Sequence, residues 1–149
     1  MAYSAPLTRL LTGIETFLRS LTDSLDAPLL NDALVTPVEL PMTCGRPYAL
    51  IGAEIATNRS GDVESAAIVN VYLDAILTRD AYLDAFELAW LLACALSYAL
   101  HRGELADGVH GGSVVTSEFG AQWSANAEAD SPPECFYVQL RISPQWLED

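Results

Sequence analysis

The chain has 149 residues, the length of one ordinary domain of about 100–150 residues, and 51% of them are apolar against 18% charged, which excludes disorder along the whole length. Twenty acidic side chains face seven basic ones for a formal net charge of −13; all seven bases are arginine, and no two lie within five residues of each other. Tight binding to nucleic acid or to an anionic membrane needs a basic face that neutralises phosphate, and this composition argues against both.

A chain of this size buries about two-thirds of its surface without disulfides or structural metal. The three cysteines, Cys44, Cys94 and Cys135, are odd in number and scattered, so no disulfide framework is implied and a reducing, cytoplasmic origin is expected. Tyr3, Thr8, Arg9 and Thr12 interrupt the apolar run that a secretory signal would need. Leu88 to Leu100 is uncharged for 13 residues, shorter than the roughly 20 that span a bilayer, and reads as a buried helix.

Leu7, Leu10, Leu11, Ile14, Phe17, Leu18, Leu21 and Leu25 recur every three or four residues and predict an amphipathic helix over 6–25, with Pro6 in its first turn. Asp26, Pro28 and Asn31 break that pattern. Leu34 to Met42 reads as an edge strand interrupted by Pro37 and Pro41, because proline donates nothing to a strand ladder. After a turn at Thr43 to Pro47, Tyr48 to Thr57 alternates as a strand. Ser60, Gly61 and Asp62 are hairpin residues and predict an antiparallel partner from Ala67 to Leu77, with Val69, Val71 and Leu73 on its packed face.

Asp80 suits the N-cap of a long helix running to about 101, Asp84 and Glu87 favour its positive end, and Arg102-Gly103 marks its stop. Apolar on almost every side, this helix asks to be covered by the sheet, the first helix or another subunit. Gly108 to Gly112 leads into a strand with Val115, Ser117, Phe119, Ala121 and Trp123 on one face; Cys135 to Ser143 forms the last strand, with Phe136, Val138, Leu140 and Ile142 inward and Pro144 as its stop. A long acidic loop, 124–134, separates the two, and 144–149 is a short tail. The whole of 1–149 reads as a single α+β domain: an antiparallel or mixed sheet of about four to five strands with two helices packed on one face.

Motifs that carry chemistry are scarce. The cysteines form no C-x-x-C pair, His101 and His110 have no second ligand at helical spacing, and neither metal nor cofactor is implied. Asp80, Asp84 and Glu87 share a helical face, where capping explains them better than acid–base work. Gly111-Gly112-Ser113 precedes a strand where a phosphate cradle needs a helix N-terminus. Glu134 beside Cys135 opposes a reactive thiolate. Trp90 and Trp123 are read as core aromatics, whereas Trp146 in the tail is a candidate subunit contact.

The leading amphipathic helix, Pro47-Tyr48-Ala49-Leu50-Ile51-Gly52, Val69-Asn70-Val71-Tyr72-Leu73-Asp74, the long helix, and the closing pair of strands with Trp123 and Phe136-Tyr137-Val138-Gln139-Leu140 together resemble the tail-terminator proteins of long-tailed bacteriophages. The resemblance spans nearly the whole chain and lies in order and texture. It implies a structural virion protein and no enzyme. It also implies a hexameric ring that caps the tail tube, halts its polymerisation and joins it to the head-tail connector, with the tube and neck proteins as partners. DNA would pass through without adhering, and a negative bore suits that passage. Asp62, Glu64, Glu128, Asp130 and Glu134, all on predicted loops, are the candidate channel or partner surface. A second likeness is to small acidic secretion chaperones, which work as dimers on extended segments and share the α-β-β-β-α-β-β order; they usually close with a further helix, for which Trp146-Leu147-Glu148-Asp149 is too short.

Overall fold

The computed structural model describes residues 6–36, 46–57, 63–74, 79–123, 126 and 128–146. Helix α1 (Pro6–Ser20) leads into strands β1 (Asp32–Val35), β2 (Tyr48–Thr57) and β3 (Val63–Asp74), then helix α2 (Arg79–His101) and strands β4 (Val109–Gln122) and β5 (Cys135–Trp146). The five strands form one mixed sheet in the order β1-β2-β3-β5-β4, with β1 parallel to β2 and every other pair antiparallel. The chain is an α+β fold.

Both helices cover the same face of this sheet. Leu10, Ile14 and Leu18, spaced by four, bury one stripe of α1 against β1, β2 and β3, where Ala33, Ala49, Ile51, Val69 and Val71 form the floor. Ala85, Ala89, Leu92, Leu96, Ala99 and Leu100 do the same for α2 above β4 and β5, over Phe136, Val138, Leu140 and Ile142. Each fully buried Leu or Ile contributes about 1.5–3 kcal/mol of transfer free energy, so these two stripes are the main attractive term. Helix α1 packs against the segment that follows α2. Gly13 lies so close to Leu105 that an added Cβ would sit 1.6 Å from its carbonyl oxygen.

Three local devices set the ends of elements. Helix α1 stops at Ser20 although Leu21 and Leu25 keep its spacing, because the Asp23 carboxylate accepts hydrogen bonds from the amides of Leu25 (2.8 Å) and Ala27 (3.0 Å) and Asp26 takes a φ of 61°. Leu25 is left in solvent. Helix α2 closes on Gly103, with φ 71°: the amides of Gly103 and Glu104 donate to the carbonyls of Leu100 (3.3 Å) and Ala99 (2.9 Å), a paired cap that only glycine reaches without strain. Asn31 sets β1 beside β2 by donating its amide to Pro47 O (2.7 Å) and its side chain to Arg46 O (3.0 Å).

Several expectations change. The first strand is Asp32–Val35, earlier than 34–42, and residues 37–45 lie outside the described residues. Strand β4 does not hold one phase: a register shift between Thr116 and Glu118 leaves Val114 packed against the core before it and Phe119 and Ala121 after it, while Val115 turns to solvent. Pro144 does not end β5, which continues to Trp146. At Pro144 the strand pairs with Gly112 of β4 only, since its pairing with β3 stops at Ile142, so the missing amide costs no ladder bond on that side.

Candidate functional site

The two helices lie side by side and present opposite characters outward. The exposed positions of α1 are Thr8, Arg9, Thr12, Thr16, Arg19 and Ser20, a solvated face. The exposed positions of α2 include Tyr82, Leu83, Phe86, Trp90, Leu91 and Tyr98. Trp90, expected in the core, is 65% exposed, and Phe86 is 56% exposed. The reason is angular: the buried line of α2 is Ala85, Ala89, Leu92, Leu96 and Ala99, and Trp90 lies nearly opposite it on a turn of 3.6 residues. Between α2 and β4 runs an apolar groove of about 410 Å³, lined by Phe86, Ala89, Ala93, Ser97, Val114 and Phe119. The rings of Tyr82 and Phe86 stand edge-on to Phe119, at 5.4 and 6.1 Å, and fix one end of this surface.

By length and mean hydropathy (1.5), Tyr82–His101 also meets the requirement for crossing a membrane. About a third of it, 33%, is buried, the inner stripe that shares a core with β3 and β5, and the rest is not. The observation that remains is the outer stripe, a contiguous apolar surface of the kind that marks interaction sites.

The sheet edges differ too. At β1, the Glu15 carboxylate of α1 accepts the amide of Val35 (2.7 Å) and Arg19 pairs with Asp32 (3.3 Å), which blunts that edge. At the other edge no described strand pairs with the outer side of β4.

The outer face of the sheet is polar and aromatic. Asn70, Tyr72, Trp123, Tyr137 and Gln139 line a shallow groove there of about 480 Å³. Gln139 donates to Asn70 (3.0 Å), Arg141 pairs with Glu54 (2.6 Å), and the Tyr137 hydroxyl donates to Glu118. That hydrogen bond holds the Tyr137 phenol above its ordinary pKa. Trp123, also expected in the core, is 52% exposed and donates its indole N–H to Ser131 O (2.9 Å), tethering the loop between β4 and β5.

Of the predicted surface residues, the side chains of Glu128, Asp130 and Glu134 are described. Asp62 lies outside the described residues. Glu64 belongs to β3 instead of a loop, opposite Ala56 of β2, and its side chain lies outside the described set. Glu128 and Asp130 are exposed on the loop. Glu134 is drawn into an ion cluster: Arg46 spans Asp74 (3.2 Å) and Glu134 (3.4 Å), joining the entry to β2, the end of β3 and the start of β5. Burial pulls the Arg46 guanidinium down, but the hydrogen bond it donates to Asp74 and the nearby Cys135 and Tyr48 outweigh that and leave its pKa raised. Trp146 is the last residue of β5, opposite Val109, not part of a tail, and its side chain lies outside the described set.

Among the described residues, no three His, Cys, Asp or Glu side chains come together as a metal group. Asp80, Asp84 and Glu87 are exposed on the first turns of α2. Cys94 is exposed on the same helix and Cys135 is buried, neither in a disulfide. Set against protein-family models and against curated proteins, the chain matches none.

Proposed function

We propose that this protein is a structural subunit that works by self-association, of the kind that forms a ring on the end of a phage tail tube, stops its growth and offers a face to the connector. The observation that carries the reading is the apolar outer stripe of α2, which a solitary subunit leaves in water. The edge of β4 beside it, with which no described strand pairs, and the charge of −13 support it: a ring supplies neighbours for the first, and a bore through which DNA slides needs the second. The reading assigns no bond-making step to any residue. Glu128 and Asp130, exposed on their loop, stay as the surface offered to the bore or to the tube and neck partners.

The test is deletion of the coding sequence from the virus that would carry it. The expected result is tails of uncontrolled length without heads; tails of normal length joined to heads would refute the reading. The element order α-β-β-β-α-β-β also favours an acidic dimeric binding protein of the secretion-chaperone kind. That alternative predicts capture of one extended effector segment and no effect on tails.

A further inference from the structure

We propose that the groove on the outer face of the sheet binds a neutral saccharide, two linked sugar rings lying on the aromatic row of β3 and β5 with their hydroxyls turned to the side-chain amides beside it. The groove is on the side of the sheet opposite both helices and the core.

Strand pairing sets the side chains of this face in rows. Tyr48, Tyr72 and Tyr137 are direct partners across β2, β3 and β5, and the row ends at Gly120 of β4. With strands about 4.8 Å apart, the three tyrosines span about 10 Å, the reach of two linked sugar rings. Tyr48 packs against Tyr72, ring centroids 5.2 Å apart, and steadies it. The Tyr137 ring lies across the backbone of Gly120: a Cβ there would come within 3.2–3.3 Å of its Oη, Cε1 and Cζ. A large side chain at 120 would lift that ring out of the row. Trp123 completes the lining, 52% exposed, with its orientation set by the hydrogen bond to Ser131 O.

The neighbouring row is polar and has a direction. The Ser117 hydroxyl donates to Gln139 Oε1 (3.0 Å), and Gln139 Nε2 donates to Asn70 Oδ1 (3.0 Å). This relay engages Asn70 through its oxygen, so the Asn70 Nδ2 hydrogens are the donors it presents at the groove. On the Tyr137 side the Glu118 carboxylate accepts the phenol hydrogen bond with Oε1, which leaves Oε2 as an acceptor. Donors and an acceptor thus flank the aromatic rings.

Three ligand classes stack on such rings, and the polar groups choose among them. Nucleic acid brings phosphates, yet no arginine lines the groove, Arg46 and Arg141 beyond it are paired with carboxylates, and the chain carries −13. A proline-rich segment offers carbonyl acceptors but few N–H donors, and leaves Glu118 unmatched. A neutral sugar meets both demands. Its C–H groups rest on the electron-rich faces of the rings, and each hydroxyl both donates and accepts, as Asn70 and Glu118 require. Equatorially linked glucose or N-acetylglucosamine leaves the most C–H surface free for stacking.

The test is titration of the full chain with cellotriose and chitotriose, with a proline-rich decapeptide and a single-stranded oligonucleotide as comparisons, followed by calorimetry and by NMR of the side-chain amides and indoles. At least one trisaccharide should bind with a Kd below about 10 mM and shift the signals of Asn70, Gln139 and Trp123. Trp123→Ala and Tyr137→Ala should each weaken binding by about 5–10-fold, the loss of one stacking face. Tyr137→Phe keeps the face and should stay within about 3-fold. Trp90→Ala, across the molecule on α2, should change nothing. Since Trp123 is half-exposed, its variant should keep the circular dichroism and melting of the unmodified protein, so a loss of binding there reports the groove. No binding of either trisaccharide, binding that survives both Trp123→Ala and Tyr137→Ala, or tighter binding of the peptide or the oligonucleotide would overturn the assignment.

Discussion

Gly13→Ala isolates one packing contact. In an exposed helix interior, alanine is more favourable than glycine by about 0.8–1.0 kcal/mol, so propensity alone predicts a more stable protein. Here the added methyl would sit 1.6 Å from the carbonyl oxygen of Leu105 and 2.8 Å from its carbon, backbone atoms that no rotamer change can move aside. Leu105 is itself buried, so α1 can retreat only by pulling Leu10 and Ile14 away from the sheet. Overpacking costs about 1–3 kcal/mol, and a clash this close with backbone atoms belongs at the upper end, about 2–3 kcal/mol, which leaves a net loss of about 1–2 kcal/mol after the propensity gain. At about 2–4 °C per kcal/mol for a chain of this size, Tm should fall by about 2–8 °C. Thermal unfolding by circular dichroism measures it, with Gly52→Ala as the comparison, since nothing lies within 4 Å of a Cβ there. A Tm equal to or above that of the unmodified protein would refute the close contact between α1 and the segment after α2.

Arg46→Ala leaves Asp74 and Glu134 facing each other without a counter-charge; urea unfolding should lose about 1–2 kcal/mol, with a larger loss at low salt. The Tyr137 phenol, held up by its hydrogen bond to Glu118, should ionise above the ordinary phenol range in an ultraviolet titration, and Tyr137→Phe should remove that late step. Because its folded pKa lies above the unfolded value, any stabilisation from this bond is complete below the unfolded pKa of about 10 and fades as pH rises through the folded one. Glu128→Arg with Asp130→Arg should leave stability within about 0.5 kcal/mol, both side chains being exposed; a cooperative Tm near that of the unmodified protein checks it, and assembly assays report whether the loop meets a partner.

Much of the fold was legible because the relevant patterns are local. Strand β2 follows from its alternation and flanking turn residues, and α2 from a continuous apolar run ending in Arg102-Gly103. Where a side chain answers to a distant part of the chain, the pattern misleads. Leu21 and Leu25 keep helical spacing, yet the Asp23 carboxylate takes the amides of Leu25 and Ala27 into a turn and ends the helix before them. One extra residue near Ser117 reverses which β4 side chains face inward, and a two-residue rhythm carries no mark of that insertion. Glu134 reads as a loop acid because Arg46, its partner, is 88 positions away. Trp90 and Leu92 are both large and apolar; which of them meets the sheet depends on the angle at which α2 is laid down. The signal that could have placed Trp90 outside was the excess itself: α2 carries more large apolar side chains than one buried stripe can absorb.

Strand β5 has β3 on one side and β4 on the other, so it is the seam between the half of the sheet under α1 and the half under α2. It is also the last of the five strands to leave the ribosome. Until then β3 has an open flank and its apolar residues lack half their cover, a state prone to mispairing with other nascent chains. Synthesis of this protein should therefore lean on holdase chaperones for as long as residues 135–146 remain in the exit tunnel.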